Sequence, residues 1–134
     1  MREASAKQVE KIQTNKAPVT AGYYSQAVVH NGLVFVSGQL AINPEKGEPV
    51  TDSIEAQTEQ CLRNVEAVLR AANSDLNHVL KITIFVSDEN LWGAVNETYK
   101  RVLGEHKPAR AIIPVGKFRG DFLIEIEAIA AVKD

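Results

Sequence analysis

The chain has 134 residues, 45% of them hydrophobic and 24% charged, and 15 basic against 17 acidic side chains leave a net charge of −2. That is the size of one globular domain, 1–134, able to bury roughly two thirds of its unfolded surface, and it excludes disorder, collagen and coiled coil as the main architecture. The evenly mixed charge offers no basic field for nucleic acid and no polybasic segment for a membrane.

A single cysteine, Cys61, excludes an intramolecular disulfide and a cysteine-rich zinc site, and it fits a reducing compartment. The first twenty residues carry charges of both signs without an apolar run, unlike a secretory signal. No stretch approaches the ~20 apolar residues that span a bilayer, so a cytoplasmic protein is expected.

Residues 1–8 are polar and expected to fray. Residues 9–13 alternate weakly and suggest a short edge strand. Two apolar runs, 27–30 and 33–36, flank Asn31-Gly32. An Asn-Gly pair between β-branched runs predicts a tight hairpin, because both central positions of that turn take positive φ. The run Leu33-Val34-Phe35-Val36 does not alternate, which predicts cover on both faces. Residues 43–49, with two prolines and a glycine, read as a loop.

Residues 53–73 form the clearest predicted helix. Ile54, Cys61, Leu62, Val65, Val68, Leu69 and Ala72 recur at the spacing of one helical face. Asp52 with Glu55 resembles a capping box, and Asn73 suits the helix end. Residues 80–86 predict a strand with Leu80, Ile82, Ile84 and Val86 on one side. Ser87 or Asp88 suits the cap of a second helix, with Leu91, Val95, Tyr99 and Val102 inward and Gly104 as its stop. Residues 109–115 and 122–132 predict two closing strands. The order is β-β-β-α-β-α-β-β, an α+β fold. Two helices cannot cover both faces of such a sheet, so both are expected on one face.

The last strand poses a problem. Phe122, Ile124, Ile126, Ala128, Ala130 and Val132 make one apolar face, but Leu123, Glu125, Glu127, Ile129 and Ala131 make a half-apolar opposite face. Carboxylates there are costly to desolvate unless paired or hydrogen-bonded. Either the face is solvated, or a second copy of the chain covers it and leaves a glutamate in a wet cleft. The non-alternating run at 33–36 favours the second arrangement.

No phosphate loop, dinucleotide fingerprint or zinc-helix motif is present. His30, His78 and His106 lack ligand spacing and read as structural or exposed. Cys61 lies on the buried stripe, where it acts as a small apolar residue. Trp92 and Tyr99 read as core. Arg110 opens an apolar strand, where a guanidinium can fork onto a carboxylate with two parallel hydrogen bonds. An ion pair with Glu125 or Glu127 is the equal alternative.

Several separated motifs carry a resemblance. They are Gly22-Tyr23-Tyr24-Ser25-Gln26-Ala27, Val36-Ser37-Gly38-Gln39-Leu40 with Asn43-Pro44 and Gly47-Glu48, and the run 79–86. Ala94-Val95-Asn96-Glu97-Thr98-Tyr99, Lys107-Pro108-Ala109-Arg110-Ala111 and Ile124-Glu125-Ile126-Glu127-Ala128 complete them. In this order, over residues 9–132, the chain resembles the RidA/YjgF (Rid) family of reactive intermediate deaminases. The resemblance implies a chorismate-mutase-like α+β fold assembled as a homotrimer, with a central barrel of sheets, helices outside and ligand clefts between subunits. It implies hydrolysis of imines and enamines such as 2-aminoacrylate or 2-iminobutanoate to 2-keto acids and ammonia, with no cofactor and no metal.

Carried over by position, Arg110 would bind the substrate carboxylate and Glu125 would orient the attacking water. Tyr24, Ser37 and Gly38 would line the pocket, and Ile112, where many members have cysteine, would contribute its backbone carbonyl. Tyr23 stands where proline is usual, and Phe118-Arg119 where Leu-Pro is usual, which bears on substrate range. The expected partners are a small imino or keto acid and two further copies of the chain, with no nucleic acid and no membrane. The alternative is a non-catalytic trimeric module that binds small carboxylates. An RNA-cleaving activity, also attached to this family, fits poorly with a net charge of −2.

Overall fold

The computed structural model describes residues 8–134. The expected fraying of residues 1–8 therefore lies, Gln8 apart, outside the described residues. The strands are β1 (Glu10–Ile12), β2 (Ala27–His30), β3 (Leu33–Gln39), β4 (Ile42–Asn43), β5 (Glu48–Pro49), β6 (Val79–Val86), β7 (Ala109–Pro114) and β8 (Ile124–Ala131). The helices are α1 (Ile54–Ala71) and α2 (Trp92–Leu103). Among the described residues no helix is long and apolar enough to cross a membrane.

Six strands form one sheet in the order β1-β2-β3-β8-β6-β7. The β6–β7 pair is parallel, joined by the α2 crossover, and the other pairs are antiparallel. The β2–β3 hairpin turns at Asn31 and Gly32, with φ of 51° and 80° as its tight turn requires. The expected loop over 43–49 holds a two-stranded ribbon, β4 with β5, because the Asn43 side chain accepts from the Glu45 N–H at 2.9 Å and folds the segment back.

α1 buries Cys61, Leu62, Val65, Val68 and Leu69, the predicted stripe, against the sheet face of Ile82, Ile84, Val86, Ile124, Ile126, Ala128 and Ala130. Each Val, Leu or Ile among them contributes about 1.5–3 kcal/mol when fully buried. The N-cap is Ser53 rather than Asp52: its backbone is extended and its hydroxyl accepts from the Ala56 N–H at 3.0 Å. At the other end Asn73 adopts φ 59°, while its N–H reaches Arg70 O at 3.2 Å and the Ser74 N–H reaches Leu69 O at 2.8 Å. This paired closure takes up the last carbonyls of the helix.

Three expectations need correction. Leu80 is not on the inner face: the β6–β8 register shifts between Val79 and Lys81, so Val79 is buried and Leu80 is 49% exposed. Trp92 is not core but 48% exposed at the start of α2, whereas Tyr99 is buried as expected. The Asp88 carboxylate accepts from the Asn90 N–H within a 3-10 turn, Glu89–Leu91, that precedes α2, and buried Thr98 and Leu103 join Val95 and Tyr99 on its inner face. Among the described residues nothing covers the outer sheet face, and Phe35 and Ile113 are each 40% exposed there.

Candidate functional site

On the outer face a cleft of about 720 Å³ opens over the junction of β3 and β8. Glu125 and Glu127 of β8 enter it with Tyr24, Ser37, Gly38 and Arg119, and residues 18–21 form one wall. Buried Gln26 builds that wall: its amide accepts from the Thr14 N–H at 2.7 Å and donates to Thr14 O and Pro18 O, each at 3.0 Å. Buried Gln57 of α1 pins the opposite rim, donating to Asp121 O at 3.1 Å and accepting from the Leu123 N–H at 2.9 Å.

Gly38 is where the backbone must be bare. The β3–β8 register shifts between Val36 and Gln39, and the Glu125 side chain lies across the gap. A Cβ at residue 38 would stand 2.9 Å from the Glu125 carboxyl carbon and closer still to Oε2. Burial raises the proton affinity of the Glu125 carboxyl above its ordinary value, Glu127 adds to the rise, and Arg119 opposes it. Ser37 donates its hydroxyl to Ser25 O at 2.7 Å and its N–H to Gln26 O at 2.9 Å, so its hydroxyl oxygen faces the cleft as an acceptor. Tyr24 is half exposed at the cleft, and Tyr23 points wholly into solvent.

Arg110 stands elsewhere. It registers with Ile82, which also registers with Ala128, so its side chain projects on the helix-covered face. Glu125 registers with Phe85, three residues further along β6, and projects on the outer face. The ion pair of Arg110 with Glu125 or Glu127 is not formed. Arg110 Nη1 instead donates to Asn96 Oδ1 at 2.8 Å, and the guanidinium stacks 4.8 Å from the Tyr99 ring centroid and 5.6 Å from that of Trp92. Ile112 shares this face, half-buried against the core. The sequence-derived residues thus fall into two groups: Glu125, Tyr24, Ser37 and Gly38 at the cleft, and Arg110 with Ile112 at edge strand β7.

Sequence reasoning missed three contributors. Asn96 and Trp92 hold Arg110, a signal available in the three- and four-residue spacing of Trp92, Asn96 and Tyr99 on one helix face. Arg119 enters the cleft itself, and only its departure from Leu-Pro hinted at that. The remaining candidates are as read: His78 bonds Asp75 at 2.7 Å, His106 bonds Val79 O at 2.8 Å, and His30 is near the surface. Burial pushes the Cys61 thiol far up, which leaves it inert behind β8.

The site can hold a water against a half-buried carboxylate, beside hydroxyl acceptors and a phenol, with one guanidinium pre-stacked on the far side of the sheet. A family model described as Endoribonuclease L-PSP matches residues 14–132. A RutC family protein of Pyrococcus abyssi is 44% identical over 121 residues, 90% of this chain and 95% of that protein. The 2-iminobutanoate/2-iminopropanoate deaminase of Rattus norvegicus is 40% identical over 119 residues, 89% of this chain and 87% of its own length. The crystal structure of the YjgF gene product of E. coli superposes with a TM-score of 0.87 at 38% identity, over 92% of this chain and 99% of that one. With the motifs, the sheet and the match over nearly its whole length, this chain belongs to the RidA/YjgF (Rid) family.

Proposed function

We propose that the protein hydrolyses 2-imino acids and their enamine tautomers, of the 2-aminoacrylate and 2-iminobutanoate type, to 2-keto acids and ammonia. One observation carries the reading: Glu125 lies half-buried across Gly38 in a cleft that also holds Tyr24 and Ser37. The name of the rat relative supports the same activity. The description Endoribonuclease on the family model finds less support, because the net charge is −2 and the cleft carries two carboxylates to one arginine.

Arg110 lies on the opposite face and at the sheet edge, so the cleft receives it from a neighbouring copy in a homotrimer. The uncovered apolar outer face supports that assembly. Within it, the guanidinium forks onto the substrate carboxylate and so places the adjacent imine carbon. Glu125 accepts a proton from water as the oxygen bonds to that carbon, and its charge favours the iminium form. Glu125 returns that proton to the nitrogen, the C–N bond breaks and ammonia leaves, and the carbonyl forms as the hydroxyl proton passes to Glu125, from which the departing ammonia carries it away as ammonium. Tyr24 and Ser37 orient the water and the nitrogen, and the Ile112 carbonyl serves as a further acceptor. The activity belongs in the cytoplasm, a reducing compartment that suits one buried, unpaired cysteine.

The test is turnover of 2-aminoacrylate generated in place. Pyruvate and ammonia should form faster than in buffer, and Arg110→Ala should lower the rate about a hundredfold while light scattering still returns a trimer. A rate equal to buffer refutes the enzyme. If calorimetry then shows 2-ketobutyrate binding, the non-catalytic carboxylate-binding module is correct instead.

A further inference from the structure

Trp92, Asn96 and Tyr99 follow one another along α2 at steps of four and three residues, so they share one face of the helix. Trp92 and Tyr99 are two turns apart, about 10.5 Å along the axis, and Asn96 stands between them. Arg110, the second residue of edge strand β7, lays its guanidinium over that interval. Nη1 donates to Asn96 Oδ1 at 2.8 Å, and the guanidinium carbon lies 4.8 Å from the Tyr99 ring centroid and 5.6 Å from that of Trp92. Tyr99 is buried and its hydroxyl has no hydrogen-bond partner among the described residues, so what it offers the cation is its ring. Among the described residues no carboxylate pairs with Arg110 within 4.0 Å. A neutral amide and two rings thus hold one flexible cation, and no acid of the same chain neutralises it.

The kind of partner matters. Arginine only donates, so residue 96 must present an oxygen to it. Aspartate would do so as well, but its charge would neutralise the guanidinium and compete with an incoming anion. An amide accepts the same hydrogen bond and leaves the positive charge in place. Arginine has five N–H donors, and the bond to Asn96 takes one, which leaves enough for a carboxylate fork. A side chain already immobilised also loses less freedom when a ligand arrives. We propose that Asn96 is a positioning residue, which holds Arg110 against α2 as a preset, still charged receptor for the substrate carboxylate. It acts through Arg110 and does not touch the substrate. This role deepens the deaminase reading and rests on it, because that reading gives the carboxylate to Arg110.

Two variants of the full chain test it, Asn96→Ala and Asn96→Asp. Alanine removes the acceptor and suits a helix, whereas aspartate keeps an acceptor of the same shape and adds charge. In calorimetry with 2-ketobutyrate, Kd should rise about fivefold in Asn96→Ala and on the order of twentyfold in Asn96→Asp, while light scattering returns the same assembly for both. KM for 2-iminobutanoate should rise in step. In the Arg110→Ala background, Asn96→Ala should change kcat/KM by less than about twofold, as expected of a residue that acts only through that arginine. Unchanged affinity in Asn96→Ala overturns the proposal. So does an aspartate variant that binds as well as the unaltered chain, since that would make the hydrogen bond merely structural. An undiminished effect of Asn96→Ala in the Arg110→Ala background overturns it too, by placing Asn96 on the substrate. Should the unaltered chain bind 2-ketobutyrate without turnover, the deaminase reading falls and the affinities still decide the role of Asn96. Should it bind no 2-ketobutyrate, both fall.

Discussion

The two faces of the six-stranded sheet are built to different standards. On the inner face Ile82, Ile84, Val86, Ile124 and Ile126 are wholly buried under α1 and α2, and this part of the structure is complete within one chain. On the outer face the sheet presents Phe35, Phe85, Ile113, Ile129, Glu125 and Glu127, with no layer above them among the described residues. The closed face stores stability, and the open face holds the carboxylates of the proposed reaction, where they can meet water and substrate. Arg110, which the proposed reaction uses to grip the substrate carboxylate, is stacked on the closed side at the sheet edge.

The contrast can be broken most forcefully at Ile84. Ile84→Ala should cost about 2–5 kcal/mol in urea unfolding, whereas Phe35→Ala on the outer face should cost under half of that per chain and show instead as weakened assembly in light scattering. Equal costs would erase the distinction between the faces. Gly38→Ala sharpens it from the other side. The added methyl meets the Glu125 carboxylate, so kcat/KM should fall on the order of tenfold to a hundredfold with little change in Tm, and an unaltered rate would remove Glu125 from the reaction.

The smallest effect concerns the stability of Glu125 itself. Its proton affinity is raised in the folded chain, chiefly by burial. A raised folded value means that the group favours folding when protonated and that this advantage is lost as pH rises through the folded value. Glu125→Gln should therefore raise Tm by about 1–3 °C near pH 7, a gain that shrinks as pH falls and the carboxyl takes up its proton. A lower Tm at pH 7 would show that the carboxylate is stabilising.

Local chemistry was legible wherever a residue's own neighbours decide its state. Asn31-Gly32 announces its turn because only that pair takes two positive φ angles cheaply. The α1 stripe and the alternation of β8 announce their buried faces because period alone assigns them. One slip was local as well: Ser53 rather than Asp52 caps α1, a difference of one residue that depends on which backbone is extended at the entry.

The larger misses all needed a partner from far along the chain. Leu80 turns outward because β6 shifts register against β8, some fifty residues away, and no pattern within β6 records that. Trp92 lies open on α2 and meets Arg110 only because β7 returns beside it. Arg119 lines the same cleft as Glu125 where Gln57, sixty-four residues before Asp121, pins the turn between them. By itself, then, the sequence determined the order of the main-sheet strands and the two helices, the buried stripes and the family to which the motifs belong, since these follow from short-range sterics, hydrophobic period and the motifs themselves. Only the tertiary structure decided which charges share a cleft and which lie on opposite faces, because strand register and loop anchoring set through-space distance and burial, and electrostatic interaction depends on both.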